Sequence, residues 1–177
     1  MARSRTRLSL VEAALLLCLI AVVLAIFVPT FLRRVRTNKI SEAAELLAEM
    51  SQRMNAYYDR SWSSLESGCL PPPAGPTPSM PSEEPRAVDF FAPDVAGNAT
   101  WEAIGFQPNR PIRFSYQYTP SEHGCGLRGT NREVSVVFRA EGDLDGDGVH
   151  SVFERRATVA GGGFTPADAL LVHQRTE

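Results

Sequence analysis

Residues 8–30, LSLVEAALLLCLIAVVLAIFVPT, constrain this chain more than any other stretch, because in twenty-three positions they hold a single charge, Glu12. From residue 13 to residue 28 there are sixteen consecutive residues with no charge and no strong polar group. Leu8, Leu10, Val11, Phe31 and Leu32 extend the apolar zone on both sides. A helix rises about 1.5 Å per residue and needs about 20 residues to cross a hydrocarbon core about 30 Å thick. The stretch therefore predicts a membrane-spanning helix over residues 8–32. A secretory signal peptide is the competing reading, but its apolar region is shorter, about 7–15 residues, and no small-x-small cleavage site follows here.

The helical signal continues beyond the membrane segment. No glycine occurs between Leu8 and Ser67, and Pro29 is the one proline. Ile40, Ala43, Leu47, Met50, Met54 and Tyr57 recur at alternating intervals of three and four, an apolar stripe down one helix face, with Glu42, Glu45, Glu49 and Arg53 assigned to the other faces. Residues 33–60 thus read as the amphipathic half of one long helix, about 80 Å from end to end at 1.5 Å per residue. Pro29 removes one backbone hydrogen bond and is expected to bend or loosen it.

Residues 61–111 form a connecting region. Seven prolines fall between Cys69 and Pro85 (Pro71, Pro72, Pro73, Pro76, Pro78, Pro81 and Pro85), a density that predicts an extended surface loop without helix or sheet. Residues 101–106, WEAIGF, read as a short helical turn whose aromatics enter the core. Strand-like segments occupy residues 112–177. In residues 112–118, Ile112, Phe114, Tyr116 and Tyr118 alternate onto one face, and residues 133–140 and 149–159 are rich in β-branched and aromatic side chains between Gly and Asp turns. Three strands in succession predict an antiparallel meander lying over the helix stripe. The fold class is α+β, a long N-terminal helix packed on a small antiparallel sheet of three or more strands.

Charge is distributed unevenly. Residues 1–39 carry seven basic groups against Glu12 alone, whereas the remainder carries eleven arginines against nineteen acids. Arginines that bracket an apolar span, with no interleaved aromatics, point to membrane headgroups and away from nucleic acid. No histidine or cysteine cluster has zinc spacing, and no nucleophile elbow or phosphate-binding glycine pattern occurs. The sequence is that of a non-enzyme, with no catalytic residues assigned.

The order Leu8-Ser9-Leu10-Val11-Glu12, a long apolar run and then Pro29 resembles the N-terminal segment of type IV pilins and type II secretion pseudopilins. In that family a short basic leader ends before a hydrophobic residue, with Glu four positions and Pro twenty-one positions further on, and Leu8, Glu12 and Pro29 meet both spacings. The leader would be residues 1–7, cleaved between Arg7 and Leu8, although Arg7 stands where the family normally has Gly. The resemblance implies the pilin-like fold and a structural role as a minor pilin or pseudopilin that assembles into, or primes, a pilus or secretion pseudopilus. It also implies that Glu12 and Pro29 act in assembly, with other pilin or pseudopilin subunits, the inner-membrane assembly platform and a prepilin peptidase as partners. Single-pass insertion in a bacterial inner membrane would follow, with a cytoplasmic N-terminus and a periplasmic head, reaching a periplasmic filament or the cell surface on assembly. An uncleaved, singly anchored periplasmic binding or adaptor protein is the alternative. With the head outside the cytoplasm, Cys69 and Cys125 become a candidate disulfide, while Cys18 lies in the apolar run.

One string carries further chemistry. Asp143, Asp145, Asp147, Gly148 and Glu154 match the D-x-D-x-D-G-x5-E calcium loop, with the Val149 carbonyl as an additional ligand. Alternate carboxylates would converge on one Ca2+ and a final Glu would close the shell. The flanks read as strands, so the competing reading is a plain Asp-Gly hairpin turn between the last two strands.

Overall fold

The computed structural model describes residues 10–62, 68–127, 133–143 and 148–173. Helix α1 runs unbroken over Leu10–Trp62, as the lack of glycine in that stretch predicts. The chain divides into two compact units, Met1–Lys39 and Ile40–Glu177. The first unit is the apolar half of α1. The second unit contains the rest of the helix and everything after it.

Among the described residues five strands follow in one sheet: β1 Ala74–Thr77, β2 Ser115–Pro120, β3 Val134–Gly142, β4 Ser151–Ala160 and β5 Gly163–His173. All neighbours are antiparallel and the spatial order is the chain order, a simple meander. A short helix, α2 (Asn98–Ile104), lies between β1 and β2 and ends at Gly105 in the left-handed conformation. The α+β class is as expected from the sequence.

The inward face of the sheet follows the alternation in the sequence. Ile112, Phe114, Tyr116 and Tyr118 are all buried, as are Val134, Val136, Phe138 and Ala140. They form one core with Ala43, Leu46, Leu47, Met50, Met54 and Tyr58 of α1 and with Trp101 and Phe106, the two aromatics expected to enter it. Edge-to-face ring contacts tie α2 and the loops to this core: Phe90 lies 5.5 Å from Trp101, and Phe114 lies 5.6 Å from Phe153. Each large side chain so buried contributes about 1.5–3 kcal/mol of transfer free energy.

Two expectations about α1 are corrected. The stripe ends at Tyr58, which is fully buried against Phe164, while Tyr57 is half-buried at the margin. From Met54 the next inward position is four residues on, not three. Glu42, assigned to an outer face, is only 6% exposed. Its carboxylate accepts hydrogen bonds from the Arg113 backbone N–H (2.7 Å) and the Arg113 guanidinium (3.3 Å).

The proline-rich region is also corrected, because β1 lies inside it. Proline lacks an N–H donor and is tolerated in a sheet only at an edge, and β1 is an edge strand. Gly75 permits the pairing: its φ is +90°, and a Cβ there would meet the Tyr116 carbonyl oxygen. At the other edge lies β5, for which the sequence carries no strand signal, since Gly163-Phe-Thr-Pro-Ala-Asp-Ala lacks the β-branched alternation of a strand.

Candidate functional site

Three places were singled out by the sequence, and each is built differently. In the first, residues Leu10–Val28 form one helix long and apolar enough to cross a membrane. None of this span is buried within the protein, and Leu10, Val11, Leu17 and Leu19 each expose two-thirds or more of their surface. An apolar face on all sides of a helix has no favourable state in water, so lipid or protein must cover it. Glu12 occupies the first turn of α1, where a negative charge is favoured by the helix dipole, and it is exposed there. Pro29 falls within the helix, and Arg7 and Leu8 lie outside the described residues.

The second place is the disulfide. Cys69 and Cys125 are bonded, closing a loop of 56 residues in sequence separation. Next to it Leu70 and Gly124 exchange both backbone hydrogen bonds, at 2.9 and 2.8 Å. The two cysteines thereby clamp the start of the proline-rich region to the segment after β2. Cys18 is a free, exposed thiol in the apolar span.

The Asp-rich turn is the third. It joins β3 to β4, and since β5 follows it does not lie between the last two strands. The ladder closes at the Gly142–Ser151 pair, and the Asp143 carboxylate accepts a hydrogen bond from the Gly148 N–H at 3.2 Å. Asp145 and Asp147 lie outside the described residues. Glu154 stands opposite Arg139, three residues up β4 from Ser151, about 10 Å at the usual strand rise. There its carboxylate faces Arg156 at 3.4 Å, His173 at 3.8 Å and Arg139 at 4.0 Å. An EF-hand brings its twelfth residue back on a helix, whereas here an extended strand carries Glu154 away from Asp143, beside Arg139, Arg156 and His173. Among the described residues no three His, Cys, Asp or Glu side chains gather to hold a metal ion.

Sequence reasoning passed over two recesses on the second unit. An open groove of about 420 Å³ is lined by residues 87–89 and 107–111. Its main polar groups are already used. The Gln107 amide bonds the Val88 carbonyl and the Phe90 N–H, both at 2.8 Å, and Arg110 pairs with Glu45 at 2.6 Å, a hydrogen bond that raises the Arg110 pKa. A smaller cavity lies between α1 and β4 beside Arg155. The only sequence signal for it was a polar line, Ser51, Gln52 and Asn55, next to the apolar stripe. Tyr116 and Tyr118 in the core have their pKa values raised, chiefly by burial.

No family model, curated protein or solved structure matches the chain. The candidate site therefore rests on its own chemistry: an uncovered apolar helix with one carboxylate near its start, continuous with a helix seated in a disulfide-clamped α+β head.

Proposed function

We propose that this protein is a membrane-inserted, pilin-like structural subunit, a minor pilin or pseudopilin that enters or primes a type IV pilus or type II secretion pseudopilus. The observation that carries the reading is the apolar half of α1, wholly uncovered over Leu10–Val28, with Glu12 in its first turn. A carboxylate is costly in hydrocarbon and calls for a specific partner there. Cleavage after Arg7 would leave the Leu8 amino group to serve as that partner on an adjacent subunit. The Cys69–Cys125 disulfide supports a head on the oxidising side of the membrane, with the N-terminus cytoplasmic. On this reading the partners are other subunits, the inner-membrane assembly platform and prepilin peptidase.

The expected result is that Glu12→Ala still fractionates with membranes but disappears from sheared or sedimented filaments. Normal incorporation of that variant would defeat the filament reading. Arg7 in place of a leader glycine favours the second reading, an uncleaved anchored adaptor. Intact mass separates the two, because the filament subunit loses residues 1–7 and the adaptor keeps them.

The Asp-rich turn carries a separate proposal, that Asp143, Asp145, Asp147 and the Val149 carbonyl bind Ca2+ without Glu154. Crowded carboxylates repel one another, and a hard cation with oxygen ligands relieves that repulsion and orders the hairpin. Millimolar calcium added to chelated protein should raise its Tm by a few degrees, an effect lost in Asp145→Ala and retained in Glu154→Gln. No change in the wild-type melting curve would leave a plain hairpin turn.

A further inference from the structure

Beside its apolar stripe α1 carries a polar one. Ala48, Ser51, Gln52 and Asn55 share a helix face and, together with Arg155 and Pro166, line a cavity of about 190 Å³. Arg155 lies on β4 between Phe153 and Ala157, both buried, so it shares their helix-facing side of the sheet. The ladder is irregular at this point: Arg155 pairs with Leu170 and Ala157 with Pro166, two steps along β4 against four along β5. A bulge of this kind bends the strand and opens room beside it.

Two donors beside the cavity have no partner among the described residues. Ser51 is 2% exposed, and its hydroxyl has no hydrogen-bond partner among the described residues. The buried Arg155 Nε–H has none either. Gln52 and Asn55 add amide groups that can also donate, and none of the six lining residues carries negative charge. A partly buried guanidinium without a carboxylate is unfavourable, and a buried donor left unmade costs free energy of its own. The missing partner is an anion that accepts from all of these groups.

Size and charge narrow its identity. A water occupies about 30 Å³ of liquid, so the cavity has the volume of about six waters, below the usual range of sites for nucleotides or sugars. One guanidinium among neutral amides balances one negative charge, whereas a dianionic phosphate would leave a second charge uncompensated. The Nε–H and one Nη–H of arginine form a parallel pair that a planar carboxylate accepts with both oxygens. We propose that the cavity between α1 and the β4–β5 bulge binds a single carboxylate group, supplied by a small free carboxylate or by an Asp or Glu side chain of a second copy of the chain.

The test uses the full-length protein in detergent micelles, with sodium acetate as the probe and sodium chloride at equal ionic strength as the control. At tenfold excess over its Kd, acetate should raise Tm by about 4 °C and move the Arg155 Nε resonance in 15N-resolved NMR. Arg155→Gln should remove the rise in Tm. Ser51→Ala, the milder variant, should keep the fold and weaken acetate binding about threefold to tenfold. If a neighbouring copy supplies the group, wild-type protein should self-associate with concentration in a way that acetate competes and Arg155→Gln abolishes. A response to acetate no larger than to chloride, or one unchanged in Arg155→Gln, overturns the proposal. So does a response that appears only in Asp168→Asn, because Asp168 falls in β5 between Pro166 and Leu170 and such a result would assign Arg155 to a carboxylate of its own chain. These outcomes are independent of whether the chain enters a filament.

Discussion

Residues 10–28 and 40–62 belong to one unbroken helix and differ chiefly in how their apolar residues are spaced. In the first half they follow one another without interruption from residue 13 to residue 28, and none of the stretch is buried within the protein. In the second half they recur every three or four residues, and Ala43, Leu47, Met50, Met54 and Tyr58 are fully buried against the sheet. The pattern decides the solvent: a stripe needs a partner on one side, and a continuous apolar surface needs an apolar medium all round. Each half also carries a carboxylate that follows this division. Glu42 is buried and bonded by Arg113, whereas Glu12 is exposed in the apolar span.

Matched substitutions test the contrast most strongly. Leu47→Ala should cost about 2–5 kcal/mol of head stability, since it removes a fully buried side chain and leaves a cavity. Leu17→Ala, in the exposed span, should leave the same denaturant midpoint unchanged. Equal loss in both variants would mean that the two halves are not distinct environments.

The two carboxylates give a smaller effect. Glu42→Ala deprives the part-buried Arg113 N–H of its acceptor and should destabilise the head by about 1–3 kcal/mol. Glu12→Ala should leave head stability unaltered while disrupting assembly. Thermal melting in detergent checks the first statement, and a Glu42→Ala variant as stable as wild type would show that its burial is incidental.

Smallest near neutrality is the tyrosine effect, which sharpens the comparison by probing the core alone. Burial holds the pKa values of Tyr116 and Tyr118 above the ordinary 10.0. Their folded state keeps its protons at pH values where the unfolded chain has lost them, so this contribution is complete below about pH 10 and declines above it. The decline is about 1.4 kcal/mol per pH unit for each tyrosine. Absorbance at 295 nm should show these two rings ionising only as the head unfolds. Reversible ionisation of both in the folded protein would contradict their burial.

What the sequence determined by itself was whatever depends on neighbours along the chain. The extent of α1, its division into a continuous and a striped half, the α2 turn around Trp101 and the inward faces of β2 and β3 are all local periodicities, and each is visible in the order of residues. Only the tertiary structure decided the rest. β1 and β5 contain prolines and weak strand formers, and they become strands because each lies at a sheet edge where a missing N–H is tolerated. Glu42 reads as a surface charge until Arg113, seventy-one residues away, supplies its donors. Glu154 completes a calcium string on paper, and the β3–β4 register instead sets it opposite Arg139. The cavity at Arg155 exists because four residues of β5 span two of β4. Each of these features depends on which segment lies alongside and in what register, and neither is written in the residues of one segment alone.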